Sequence, residues 1–130
     1  MKNNKLYRHF TFDIFGKGLP QTEMNRRHKE YTDLVDLVVE KFSPLKKQEI
    51  LQFTHWHGDF SIIGPVVKYK KEYLIQYNEI AQDILAEHLG LVFGTQWDNY
   101  YISIPRTQIE ILELIDANPP SFMREISKQP

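Results

Sequence analysis

Val92-Phe93-Gly94-Thr95-Gln96-Trp97-Asp98-Asn99-Tyr100-Tyr101-Ile102-Ser103-Ile104, residues 92–104, decides how this chain folds. Val, Phe, Thr, Tyr and Ile favour a pleated, half-buried surface, and Asp98-Asn99 in the middle suits a tight turn. Pro105 stops the second run, because proline cannot donate to a strand ladder. So short a connection forces the two runs to pair antiparallel. A second hairpin of this kind is predicted upstream. There residues 50–57 read as a strand, Gly58-Asp59 as a Gly-first turn and residues 60–63 as the return, closed by Gly64-Pro65.

Around the hairpins lie stretches with helical spacing. Tyr31, Leu34, Val35, Val38 and Phe42 recur along one stripe, which predicts a helix over 22–42 capped by Thr22. Ser43-Pro44 then allows a short helix to about Glu49. Ile80, Ala81, Ile84, Leu85 and His88 repeat the spacing over 78–89, with Asn78 as N-cap and Gly90 at the C-terminal cap. A last helix is predicted over 107–116, ahead of Asn118-Pro119-Pro120. Residues 5–15 alternate instead, placing Leu6, Phe10, Phe12 and Ile14 on one face with Arg8, as in a strand. Residues 66–77 fit either a strand or the opening of a helix. The expected fold class is therefore α+β: one domain over 1–120, a mainly antiparallel sheet with about three helices on one face. Residues 121–130 are expected to form a loose tail.

With 130 residues, 42% of them hydrophobic and 13% aromatic, the chain can bury one core and is unlike a disordered segment. It has no cysteine, which excludes disulfides, thiolate metal sites and cysteine nucleophiles. No run approaches the ~20 apolar residues of a membrane span, and the basic N-terminus is not followed by the apolar core of a signal peptide. A cytoplasmic protein without a membrane partner is expected.

Charge is split along the sequence. Residues 1–71 carry thirteen Lys/Arg against eight acids, whereas residues 72–120 carry eight acids against Arg106 alone. Such asymmetry points to a charged partner even though the formal net charge is only −1. Glu79, Asp83 and Glu87 recur every four residues, so they line one face of the helix predicted over 78–89. Glu110 and Glu113 repeat the theme on the last predicted helix. Set side by side, these helices would form an anionic surface flanked by Trp97, Asp98, Tyr100 and Tyr101. The basic residues Arg26, Arg27, Lys29, Lys46, Lys47, Lys68, Lys70 and Lys71 are scattered over helix ends and loops. With a sequence pI near 6.5, they do not make the basic domain that nucleic acid requires.

One segment carries a motif. Thr54-His55-Trp56-His57-Gly58-Asp59-Phe60 resembles the Thr-His-x-His-x-Asp-His metal-binding signature of the metallo-β-lactamase superfamily. The resemblance implies that His55, His57 and Asp59 would hold a metal ion that activates a hydrolytic water. Phe60 stands where the signature has its closing histidine, and the family's four-layer sandwich needs a much longer chain. A strand end, a turn and histidines near a sheet edge account for the same letters more simply. The serines form no nucleophile elbow and Gly16-Lys17-Gly18 has no phosphate-loop spacing.

These patterns favour a non-enzymatic binding protein that needs no cofactor. Its acidic face would cover a basic protein partner, as bacterial immunity proteins neutralise toxin or nuclease domains. A metal-dependent hydrolase using His55, His57 and Asp59 is the second expectation, and a regulatory or assembly subunit the third.

Overall fold

Strand β1 (Tyr7–Phe12) is one of two central strands of a four-stranded sheet in the computed structural model, which describes residues 6–54, 71–96 and 99–126. It is followed by α1 (Gln21–Phe42), α2 (Lys47–Thr54), α3 (Lys71–Leu89), β2 (Val92–Gln96), β3 (Asn99–Pro105), α4 (Ile109–Ala117) and β4 (Met123–Ile126). The strand order is β2-β3-β1-β4 and every neighbouring pair is antiparallel. Because β3 opposes both β1 and β2, those two run parallel and need a helical crossover. The same holds for β3 and β4 across β1. This is the doubled split β-α-β connectivity, with two extra helices inside the first crossover. An α+β fold with four helices follows, among the described residues, in place of about three.

Period-two alternation sorts the sheet into two faces. Phe10 pairs with Ile102 and Phe12 with Tyr100; these residues, together with Ile104, look toward the helices. Phe10, Phe12, Ile102 and Ile104 are buried in one cluster with Tyr31, Leu34, Val35, Val38 and Val39 of α1, Ala81 and Leu85 of α3, and Ile111 and Ile115 of α4. Each large apolar side chain fully buried there contributes about 1.5–3 kcal/mol. On the other face Tyr7, His9, Thr11 and Tyr101 are half-buried, and His9 Nδ1 lies 2.6 Å from Ser103 Oγ. No described helix is long and apolar enough to cross a membrane.

Several boundaries differ from the expectation, each for a physical reason. The N-cap of α1 is Pro20 with no side-chain cap, so Thr22 lies inside the first turn. Residues 50–54 are helical, not a strand: the Lys46 backbone N–H donates to Glu49 Oε1 at 2.8 Å, the return half of a capping box that opens α2. Ser43 ends α1, and its Oγ accepts the Leu45 N–H at 3.0 Å. Helix α3 begins at Lys71, so Asn78 is interior rather than a cap, and His88 is exposed rather than part of the apolar stripe. Gly90 does terminate α3, with φ of 76°, a conformation that glycine adopts without a Cβ penalty. The hairpin expected at 58–59 lies outside the described residues.

The expected loose tail is, over 123–126, the edge strand β4 paired with β1. Arg8 holds it there. Its guanidinium donates to Glu125 Oε1 and Oε2 at 2.7 and 2.8 Å and to Asp116 of α4 at 3.0 and 3.1 Å, while stacking 5.1 Å above the Phe10 ring.

Candidate binding face and cleft

Helix α3 presents two faces. Tyr77, Ala81 and Leu85 are buried against the core. Glu79, Asp83 and Glu87 are each two residues further on, about 200° around the helix at 3.6 residues per turn, and all three are exposed. None of them has an ion-pair partner among the described residues. Like charges one turn apart cost roughly 0.2–0.5 kcal/mol per pair, so the row is a small uncompensated strain on α3.

The cations of the first half are arranged otherwise. On α1, Arg26 pairs with Glu23 and Glu30, Arg27 with Glu23 at 2.7 Å, and Lys29 with Asp33 at 2.8 Å. The two arginines hold the Glu23 carboxyl down to about 2. Lys47 of α2 reaches Asp36 Oδ2 at 3.0 Å, and Arg8 is taken by Asp116 and Glu125. Arg27 Nη1 also donates to the Asp13 carbonyl at 2.6 Å, tying α1 to the chain leaving β1. Arg8, Arg26, Arg27, Lys29 and Lys47 are thus each held by an acid where they stand.

Glu110 and Glu113 are exposed on α4. Helix α1 packs against both α3 and α4, so the two acidic helices flank it and their acid rows do not join into one surface. Tyr100 and Tyr101 are also separated. As consecutive strand residues they point to opposite faces: Tyr100 under the helices, Tyr101 on the far side over Gly94, where its ring leaves no room for a Cβ. Trp97 and Asp98 lie outside the described residues, as do His55, His57 and Asp59. Among the described residues no group of three or more His, Asp or Glu is placed to hold a metal ion.

Beside the acid row, α1 and α3 part above the β2 edge of the sheet to leave a cleft of about 860 Å³. Its walls include His28 and Tyr31 from α1, Glu79 and Gln82 from α3, and Thr95 and Tyr100 from the β2–β3 hairpin. Tyr100 is half-buried, with its ring centroid 4.7 Å from Tyr31, 5.8 Å from His28 and 5.7 Å from Phe15. Burial raises its pKa, and the neighbouring Glu79 charge raises it further. Burial also pushes the Tyr31 phenol up; its oxygen accepts the Gln82 amide N–H at 3.1 Å. At the α2 end, Tyr77 O–H donates to Asp36 Oδ1 at 2.7 Å, and Lys47 lies 5.6 Å over the Tyr77 ring.

Of these residues only Glu79 and Tyr100 are singled out by the sequence patterns. Tyr31 reads as core, which it also is. His28 sits among four charged neighbours, and Gln82 between Ala81 and Asp83 carries no periodic signal. A His and a Tyr three apart on one helix face, opposite a strand tyrosine, is visible only once the crossover is known. Compared with protein families, curated proteins and solved structures, the chain has no match.

Proposed function

We propose that this chain is a non-enzymatic inhibitor that covers a basic protein partner with the outer face of α3, as a bacterial immunity protein covers a toxin or nuclease domain. One observation carries the reading. Among the described residues Glu79, Asp83 and Glu87 stand without cationic partners on α3, while Arg8, Arg26, Arg27, Lys29 and Lys47 are paired within the fold. A basic surface set against the row relieves the repulsion along α3 and is drawn to it by long-range attraction. Carboxylates one turn apart offer a nucleic-acid-binding site a line of negative charge in place of phosphates. Size and charge layout support the immunity role; the acid row supports the basic partner.

The reading predicts that a basic toxin domain is encoded immediately beside this chain's gene, and calorimetric titration with that domain tests it. Binding is expected to be tight and to weaken as salt rises. Reversing Glu79, Asp83 and Glu87 to Lys should weaken it by about a hundredfold or more. Unchanged affinity in that triple variant overturns the proposal.

A further inference from the structure

We infer that the cleft between α1 and α3 receives an arginine side chain of the basic partner, its guanidinium set against the Tyr100 ring and the Glu79 carboxylate. The inference rests on the reading of α3 as the partner-binding face and names the chemistry of its deepest contact.

Charge decides the sign of the occupant. Lys29 and Lys47 line the cleft, but Asp33 and Asp36 hold them at 2.8 and 3.0 Å. Asp36 is further committed to the Tyr77 hydroxyl. Glu79 is the lining carboxylate that no described cation reaches. It lines the same cleft as Tyr100. A cation entering here meets a carboxylate that no described cation holds and an aromatic ring among the same lining groups.

Shape favours guanidinium over ammonium. A planar guanidinium stacks on an aromatic ring and presents two parallel N–H donors to one carboxylate, whereas an ammonium is a compact, strongly hydrated point charge. The receiving surface is already set: Tyr100 is held by the Tyr31, His28 and Phe15 rings, and Tyr31 by the Gln82 amide. Little side-chain ordering is then needed on binding. At about 860 Å³ the cleft exceeds one side chain, which suits an arginine at the tip of an entering loop.

The probe is N-acetyl-L-arginine amide, titrated into the isotopically labelled full chain at neutral pH and followed by amide chemical shifts. Its neutral isostere, N-acetyl-L-citrulline amide, serves as control. Saturable shifts are expected at Glu79, Gln82, Thr95 and Tyr100, with citrulline at least about tenfold weaker. Glu79→Gln should weaken arginine binding by about tenfold and Tyr100→Leu should remove it, whereas Tyr100→Phe keeps the ring and the binding. Glu79→Gln alters an exposed side chain, so it remains informative should Tyr100→Leu unfold. Absence of saturable shifts in the cleft, or equal binding of citrulline, overturns the inference. The neutral double variant Asp83→Asn, Glu87→Gln, which sets no cation one turn from Glu79, separates the two readings. It should weaken the protein partner and change arginine binding by no more than about twofold. If it weakens the partner while the probe never enters the cleft, the acidic face stands and the cleft inference falls.

Discussion

Phe12 shows what a single position contributes. Its side chain is fully buried, edge-on to Tyr31 at 4.9 Å and to Phe122 at 6.4 Å, so one ring joins β1, α1 and the turn before β4. Truncating it removes contacts on three sides at once. Phe12→Ala should cost about 3–5 kcal/mol, read as a lowered denaturant midpoint; a loss below about 1 kcal/mol would mean that the three elements close up without it. This residue was legible in advance, because alternation from Phe10 to Ile14 marks the core face without any knowledge of the partners. Tyr100 was legible only as an aromatic near acids. Its place beneath α1, opposite to that of Tyr101, follows from the pairing register with β1, which local sequence does not contain.

At the scale of elements, α1 and α3 announce themselves by long apolar stripes, whereas α2 and β4 do not. Ile50 and Leu51 are an apolar pair that periodicity alone cannot assign to helix or strand; the Glu49 cap decides it. Strand β4 has four residues, three of them exposed, and no alternation to read. It exists through its ladder with β1 and through the Arg8 tie to Glu125 and Asp116, a long-range arrangement. The tie is pH-dependent. Arg8 hydrogen bonds hold the Glu125 carboxyl below its ordinary 4.5, so the folded chain takes up that proton less readily than the unfolded one. The stabilisation is therefore complete above about pH 4.5 and is lost as pH falls through the lowered value. Hydrogen exchange should show the β4 amides losing protection first in mild acid. Arg8→Met should give the same loss at neutral pH, at about 1–2 kcal/mol, and should abolish the acid dependence of β4 protection. Protection that stays uniform across the sheet in acid would show that the ladder holds β4 unaided.

Over the whole molecule, the charge split visible in the sequence changes meaning once the fold is known. Read along the chain it sets a basic half against an acidic half. In space, ion pairs within three or four residues on α1 take up Arg26, Arg27 and Lys29, and Arg8 draws two acids from the far end of the chain. A polyanion should therefore find little purchase on Arg8, Arg26 and Arg27, which are held by acids, since paired cations present a weak, short-range field. At low ionic strength and neutral pH the chain is expected to pass through immobilised heparin and to be retained on an anion exchanger. Changing Glu79, Asp83 and Glu87 to Gln should bring it off the exchanger at lower salt, whereas Glu23→Gln with Glu30→Gln should free Arg26 and Arg27 from their carboxylates and introduce heparin retention. Firm binding of the unaltered chain to heparin would show that its cations are not neutralised in place, and would shift the partner from a basic protein to an anionic one.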